Sequence, residues 1–324
     1  MVKAVMVHEY GGPEVMKIED VEVGKPGPGQ VKVRNKAMGL NFIDTYFRSG
    51  LYKAPSLPFI AGNEAAGEII EVGKGVRGFK VGDRVGYVSS LGSYAQERLI
   101  DARILVKLPK KISYETAAGM MLKGLTAQYL LRQTFRVKRG NVILVHAAAG
   151  GVGLLLCQWG KALGATVIGT VGSKEKGALA KKAGAKHIIY YKDENFVDRV
   201  REITKGKLCD VVYDGVGKDT FPASLDCLKK RGMFASFGSS SGPIEAFNIG
   251  LLVQKGSLFA TRPTLYDYAD TPARLAAMAR DLFSVVARGK VKIPVNKRYK
   301  LQDVVAAHEA LQGRQTTGST ILIP

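Results

Sequence analysis

Residues 141–161, NVILVHAAAGGVGLLLCQWGK, constrain this chain more than any other stretch. Four apolar β-formers, Val142 to Val145, run into the turn Ala148-Ala149-Gly150-Gly151-Val152-Gly153. Apolar residues at helical spacing follow from Val152 through Leu156 and Trp159 to Leu163, and Gly164 closes the segment. A strand, a glycine turn and a helix in this order place a pyrophosphate on a helix N-terminus. Free N–H groups and the helix dipole favour negative charge there, and glycines admit close approach. The turn departs from G-x-G-x-x-G in its first position, where Ala148 stands. A second strand over residues 165–171 completes a strand–helix–strand unit, which favours dinucleotide binding over tight helix–sheet packing alone. Residues 141–160 carry no charge, but glycines, an Asn and a Gln interrupt them. They do not make a membrane span.

The remaining chain divides around this unit. At 324 residues it is long for one core, and two domains are expected. Residues 1–125 read as short strands (3–7, 16–23, 31–37, 65–72, 81–88 and 94–100) separated by glycine turns, the pattern of a β-rich, barrel-like domain. A short helix is expected over residues 41–49. From 126 to 261 strands (186–190, 210–214, 233–238, 257–261) alternate with helices (174–183, 194–204, 220–228). Six strands with intervening helices make an α/β doubly wound parallel sheet. Residues 262–324 form a third segment with helices at 272–288 and 300–312 and a closing strand at 320–323.

The end of the second strand selects the dinucleotide. An acidic residue about 20 positions after the glycines holds the ribose 2′-hydroxyl of NAD. Here the strand runs into Gly172-Ser173-Lys174-Glu175-Lys176, with no acid at its end. Ser173 is placed to cap the next helix, and two lysines open it. NADPH is expected over NADH, with Glu175 on the helix turned away from the lysines; plain solvation of both lysines is the alternative.

The net charge of +20 raises the question of a nucleic-acid partner. The excess is spread: 18 basic against 13 acidic residues in 1–125, 20 against 10 in 126–261, and 10 against 5 in 262–324. No basic run exceeds Lys229-Lys230-Arg231, and no aromatics interleave it. A solvated surface is the plainer interpretation, with weak, salt-sensitive polyanion binding left open. Cys157, Cys209 and Cys227 have no zinc-ligand spacing and suit a reducing compartment. No signal-peptide pattern opens the chain, so a cytoplasmic location is expected.

Several motifs together resemble the medium-chain dehydrogenase/reductase superfamily, and within it the quinone oxidoreductases related to ζ-crystallin. They are the glycine turn with Gln158 and Lys161; Gly62-Asn63-Glu64-Ala65-Ala66-Gly67; Val81-Gly82-Asp83-Arg84-Val85; Asn41-Phe42-Ile43-Asp44-x-Tyr46-x-Arg48-x-Gly50-x-Tyr52; Lys123-Gly124-Leu125-Thr126-Ala127; and Arg314-x3-Gly318-x4-Ile323-Pro324. The resemblance spans the whole chain. It implies a GroES-like, partly open barrel domain (1–125), a Rossmann domain (126–261), a final segment (262–324) that rejoins the first domain, and NADPH in the cleft between domains. It implies no metal: Asn41 stands where zinc alcohol dehydrogenases place a cysteine, and Asn63 where they place a histidine. Catalytic zinc needs three protein ligands.

The resemblance further assigns residues. Phe42, Ile43, Asp44 and Tyr46 would lie near the nicotinamide. Lys176, Tyr191 and Ser173 would meet the adenosine 2′-phosphate. Gly150, Gly151, Val152 and Gly153 would form the turn. Val216, Phe237, Gly238, Ser239 and Ser240 would line the cofactor, and Thr264, Leu265 and Arg314 would complete the cleft with Tyr129. The implied reaction reduces a quinone or another conjugated carbonyl. It asks the protein for positioning and for donors to an oxygen that gains negative charge. Asn41, Tyr46 and Tyr52 are the candidate catalytic donors, with aromatic packing as the alternative for the tyrosines. Asp44 is either an acid/base group or, preferably, a helix cap. Reduction of α,β-unsaturated ketones or enoyl thioesters is the alternative activity, and RNA binding a further one. An apolar edge strand at 257–261 suggests a homodimer, with a tetramer open.

Overall fold

The structure, a computed structural model, describes every residue except Ser90. It comprises two compact units: Met1–Lys123 with Ala269–Phe283 and Ile293–Pro324, and Gly124–Tyr268 with Ser284–Lys292.

The first unit opens with β1 (Val2–Val7), which pairs antiparallel with β2 (Met16–Val21). Then come β3 (Gln30–Leu40), a helix at Phe42–Arg48, β4 (Phe59–Ile60), β5 (Glu64–Val72), β6 (Arg84–Val88), β7 (Glu97–Asp101) and β8 (Leu105–Lys107). The long β3 is its spine, pairing antiparallel with both β5 and β7. Inward residues Val31, Val33, Met38, Ile69, Val85 and Tyr87 are fully buried and form its core. Burying each aliphatic side chain contributes about 1.5–3 kcal/mol. Tyr94 falls outside the ladder expected over 94–100, because its backbone bonds Val5 N and Ala61 O instead, and its hydroxyl donates to Asp44.

The second unit carries β9 (Val142–Val145), β10 (Thr166–Val171), β11 (His187–Tyr190), β12 (Cys209–Asp214), β13 (Leu228–Ser236) and β14 (Phe259–Thr261). All pairings are parallel, in the order β11-β10-β9-β12-β13-β14. This is the doubly wound Rossmann arrangement, whose strand order reverses beside β9. Strand β9 is buried at Ile143, Leu144 and Val145, and the helix Gly151–Ala162 covers it with Leu154, Leu155 and Trp159. The helix expected over 220–228 is replaced by a turn and a short 3-10 segment, Ala223–Cys227. Pro222 is in a poor position to continue a helix, and the Thr220 and Ser224 side chains are engaged by Asp214.

The last strands, β15 (Val295–Lys300) and β16 (Ser319–Ile323), return to the first unit, where β16 pairs antiparallel with β3. The helix Val304–Gln312, preceded by a 3-10 turn at Leu301–Asp303, packs there as well. Arg48 ties it to the helix Phe42–Arg48. The buried guanidinium meets His308 Nδ1 at 3.2 Å, donates to Gln312 Oε1 at 3.0 Å, and reaches Gly11 O at 3.1 Å. Burial and the adjacent Arg48 charge lower the His308 pKa to about 3, so its neutral ring accepts from Arg48.

Candidate active site

In the first unit the candidate residues gather where β3 gives way to the helix Phe42–Arg48. Asp44, in the third helical position, folds back so that Oδ2 accepts the Asn41 backbone N–H at 2.7 Å, half of a capping box. The same Oδ2 accepts the Tyr94 hydroxyl at 2.7 Å, and Oδ1 accepts Asn63 Nδ2 at 2.6 Å. The carboxyl is 2% exposed. Desolvation outweighs its three donors, Glu64 adds repulsion, and the pKa rises to about 6. The geometry gives Asp44 a capping and anchoring part.

Asn41 Nδ2 donates to Glu64 Oε1 at 2.8 Å, with Gly39 O at 3.4 Å. Glu64 is fully buried and also accepts Leu122 N at 2.6 Å and Lys123 Nζ at 3.1 Å. The Lys123 ammonium makes a second bond to Leu40 O at 3.1 Å. The Asn41 amide nitrogen is therefore committed within the protein, which weakens it as a donor to a substrate. Glu64, Lys123 and Tyr94 are absent from the sequence-based candidates. An acid within the small, apolar run of β5 was the available signal, since a buried carboxylate requires a cation or several donors.

Tyr46 lies on the same helix, its ring edge-on to Tyr52 at 5.3 Å. Phe47 meets Tyr52 from the other side at 5.8 Å, and Tyr52 N donates to Tyr46 O at 3.0 Å. Phe42 and Ile43 are half-buried in the first helical turn. Arg314 follows the helix Val304–Gln312 with a left-handed φ of 57° and is exposed.

In the second unit most remaining candidates fall along the carboxyl edge of the parallel sheet. Gly150 to Gly153 follow β9, Ser173 and Lys176 follow β10, and Tyr191 follows β11. Val216 follows β12, Phe237 to Ser240 follow β13, and Thr264 and Leu265 follow β14. Ligands of open α/β sheets bind at this edge. No side chain caps the helix at Gly150, which leaves its first N–H groups for an anion. At Gly153 a Cβ would come within 2.3 Å of Ala147 O, so glycine is required for the turn to close. These features fit a dinucleotide pyrophosphate.

Ser173 caps the helix Lys174–Ala183, accepting Lys176 N at 3.3 Å. Tyr191 reaches over the same turn: its hydroxyl is 2.6 Å from where a Gly172 Cβ would stand. Glu175 does not turn away as expected. Its carboxylate accepts from the Ser173 side chain, which lowers its pKa. A serine, a lysine and a tyrosine thus meet at one turn, with one acid among them. Tyr129 differs from the others. It is buried, its ring stacks on Tyr268 at 4.5 Å, and burial raises its hydroxyl pKa.

Comparison with known proteins gives a consistent picture. An alcohol dehydrogenase GroES-like domain model matches residues 27–110, and a zinc-binding dehydrogenase model matches residues 151–279. A quinone oxidoreductase of Pseudomonas aeruginosa is 54% identical over the full length of both chains. A 2-haloacrylate reductase of Burkholderia is 47% identical, covering 100% of this chain and 99% of its own. The crystal structure of Escherichia coli quinone oxidoreductase complexed with NADPH superposes with a TM-score of 0.98 at 50% identity, over 99% of this chain and 100% of that one.

The zinc-binding name of one model does not fit the donor set. Asn41 and Asn63 offer amides, Glu64 is taken up by Lys123, and a buried ammonium occupies the place of a cation. Among the described residues no group of three or more His, Cys, Asp or Glu side chains is arranged to hold a metal ion. Whole-length identity of 54% and 50% to quinone oxidoreductases, together with the two matched domain models, decides the matter: the chain belongs to the quinone oxidoreductase branch of the medium-chain dehydrogenase/reductase superfamily.

Proposed function

We propose that this protein is an NADPH:quinone oxidoreductase that works without a metal. The observation that carries the proposal is the carboxyl edge of the second unit. An uncapped glycine turn there would accept a pyrophosphate, and Ser173, the Lys176 backbone and the Tyr191 hydroxyl lie together at the turn after β10, where a 2′-phosphate would be held. The Escherichia coli relative crystallised with NADPH supports it. The second unit would then hold the cofactor and the first unit the acceptor, with residues 269–283 and 293–324 completing the first unit and residues 262–268 and 284–292 belonging to the second.

Bound NADPH supplies reducing equivalents through its nicotinamide. The protein's part is orientation and charge stabilisation. Gly150, Gly151, Val152 and Gly153 hold the pyrophosphate, and Val216 with Phe237, Gly238, Ser239 and Ser240 borders the rest of the dinucleotide. Thr264, Leu265 and Arg314 complete the surround. Phe42, Ile43 and Tyr46 present an apolar and aromatic face suited to a flat ring. The hydroxyls of Tyr46 and Tyr52 are the donors for oxygen as it gains charge, since Asn41 is committed to Glu64. A panel of quinones, enones and enoyl thioesters, with NADPH consumption followed by absorbance, tests the assignment. Quinones should give the highest kcat/KM. Preference for an acyclic enone or thioester would move the protein to the alternative class, which the 47% identity to a 2-haloacrylate reductase favours.

The assembly is a homodimer in this proposal. Strand β14 is the outer strand of its sheet, and Phe259, Ile249 and Val253 beside it are 54%, 77% and 75% exposed. An unpaired apolar edge invites a second copy. No described helix is long and apolar enough to cross a membrane, and three buried free cysteines suit the reducing cytoplasm.

Polyanion binding is a second activity that one observation favours. Lys138, Arg139, Lys186, Lys205, Lys207, Lys230 and Arg231 are all exposed at the amino edge of the parallel sheet, opposite the glycine turn. Helix C-termini attract some of these cations, but the set spans the strand starts from β9 to β13. A gel-retardation assay with RNA at physiological salt should show weak binding that NADPH does not displace. Displacement by NADPH would move the contact to the cofactor edge.

A further inference from the structure

Beneath the carboxyl edge of the second unit lies a buried polar chain that the reaction above does not use. His146 follows β9 directly and is 2% exposed. Its Nδ1 meets Thr170 Oγ1 at 3.0 Å and its Nε2 meets Ser224 Oγ at 3.0 Å. Ser224 Oγ in turn lies 3.1 Å from Asp214 Oδ2, where Thr220 Oγ1 also donates at 2.7 Å. The other carboxylate oxygen accepts the backbone N–H groups of Val216 and Gly217 at 2.8 and 3.0 Å.

Hydrogen-bond polarity orders this chain. Ser224 Oγ faces two groups that only accept, Asp214 Oδ2 at 3.1 Å and Thr220 O at 3.0 Å, and its single proton goes to one of them. Ser224 Oγ must then accept from His146 Nε2–H, which leaves Nδ1 as an acceptor for the Thr170 hydroxyl. The donors run from Thr170 through His146 to Ser224, which is held between Asp214 and the Thr220 carbonyl. Burial lowers the imidazole pKa, in keeping with a neutral ring of fixed tautomer.

Each end of the chain holds a loop of the cofactor edge. Thr170 O accepts Ala148 N at 3.0 Å, so the glycine turn hangs on the residue His146 engages. Asp214 clips the segment 216–217, and Val216 O accepts Ser241 N at 2.9 Å, which brings in the loop after β13. The imidazole thus links β10, through Thr170, to the loops after β9, β12 and β13, and none of these bonds is made to Ser173, Lys176 or Tyr191.

We infer that His146 is a positioning residue that, through Ser224 and Asp214, sets the loops holding the part of NADPH remote from its 2′-phosphate. The inference rests on the NADPH assignment above. His146 touches neither cofactor nor acceptor in this account.

The test measures calorimetric affinities for NADPH and for adenosine 2′-monophosphate, which carries the adenosine and its 2′-phosphate but no part of the pyrophosphate. The proteins are the wild type, His146→Ala, Ser224→Ala, the double variant and His146→Gln. Each single alanine variant should weaken NADPH about tenfold, as expected for a lost buried hydrogen bond. The double variant should weaken it hardly further, because both changes break one chain. Affinity for adenosine 2′-monophosphate should stay within about twofold, KM for NADPH should rise more than kcat falls, and His146→Gln should recover part of the loss through its own donor. Unchanged NADPH affinity in folded His146→Ala overturns the inference, as does equal weakening of both ligands. If His146→Ala does not fold, Ser224→Ala and His146→Gln carry the same two criteria. A wild type that binds adenosine 2′-monophosphate but not NADPH would remove the cofactor assignment itself, and the inference with it.

Discussion

The Asp44 carboxylate accepts the Tyr94 hydroxyl at 2.7 Å within a fully buried part of the first unit. Both groups resist ionisation there: burial raises the pKa of each, and Asp44 raises that of Tyr94 further, while the Tyr94 hydroxyl bond draws Asp44 only part of the way back down. Asp44 titrates at about 6 rather than 3.8. The folded protein therefore holds this proton more tightly than the unfolded chain does. The stabilisation is complete below about pH 4 and is lost as pH rises through 6. The gap corresponds to about 3 kcal/mol. In Asp44→Asn the position cannot titrate, so the stability of wild type relative to the variant should fall by about that amount between pH 4 and 7.5. Urea unfolding of both proteins across this range checks it; a constant difference would mean that Asp44 keeps an ordinary pKa.

Glu175 sits on the Ser173 cap beside Lys176, so it opposes any phosphate at that turn. Lys176→Ala should weaken NADPH roughly 10- to 100-fold, as for a lost charge-assisted bond of about 1.5–3 kcal/mol, and barely change NADH. Glu175→Gln should act the other way. Removing an exposed like charge should tighten NADPH modestly at low salt and less at high salt. Paired titrations with NADPH and NADH decide the point. Parallel changes for both cofactors would place the 2′-phosphate elsewhere.

The two units differ in how plainly their sequence announces them. Strand β9 and its glycine turn carry their pattern locally: β-branched residues, then glycines that must be glycine, then an apolar helical face. The site in the first unit is built from contacts across long sequence separations. Asn41 meets Glu64, Glu64 meets Lys123, and Tyr94 meets Asp44. No periodicity reveals such pairs, because hydrogen-bond geometry between distant segments exists only once β3, β5 and the helix Phe42–Arg48 are packed. The failed helix at 220–228 has the same origin. Thr220 and Ser224 turn inward to Asp214, a contact that no helical spacing displays. His146 links loops that no sequence pattern connects.

Tyr46 and Tyr52 pack edge to face at 5.3 Å, and this contact alone would survive loss of both hydroxyls. Tyr46→Phe with Tyr52→Phe therefore separates packing from chemistry. Turnover should fall about 10- to 100-fold, the usual range for a removed proton donor or oxygen ligand, while NADPH affinity and thermal midpoint stay close to wild type. Undiminished turnover would take both tyrosines out of the mechanism.

Lys123 and Glu64 form an ion pair that is almost wholly out of water, with side chains 8% and 0% exposed. Such a pair contributes little relative to an apolar replacement of both partners, but losing one partner strands a buried charge at a cost of about 3–5 kcal/mol. Lys123→Met should reach that loss, because Glu64 would keep only the Asn41 and Leu122 donors. Adding Glu64→Gln should restore part of the stability, since the neutral amide has no charge to compensate. The coupling from a double-mutant cycle should exceed 1 kcal/mol. Additive effects would show that the ammonium is solvated and that Asn41 does not depend on it for its place in the site.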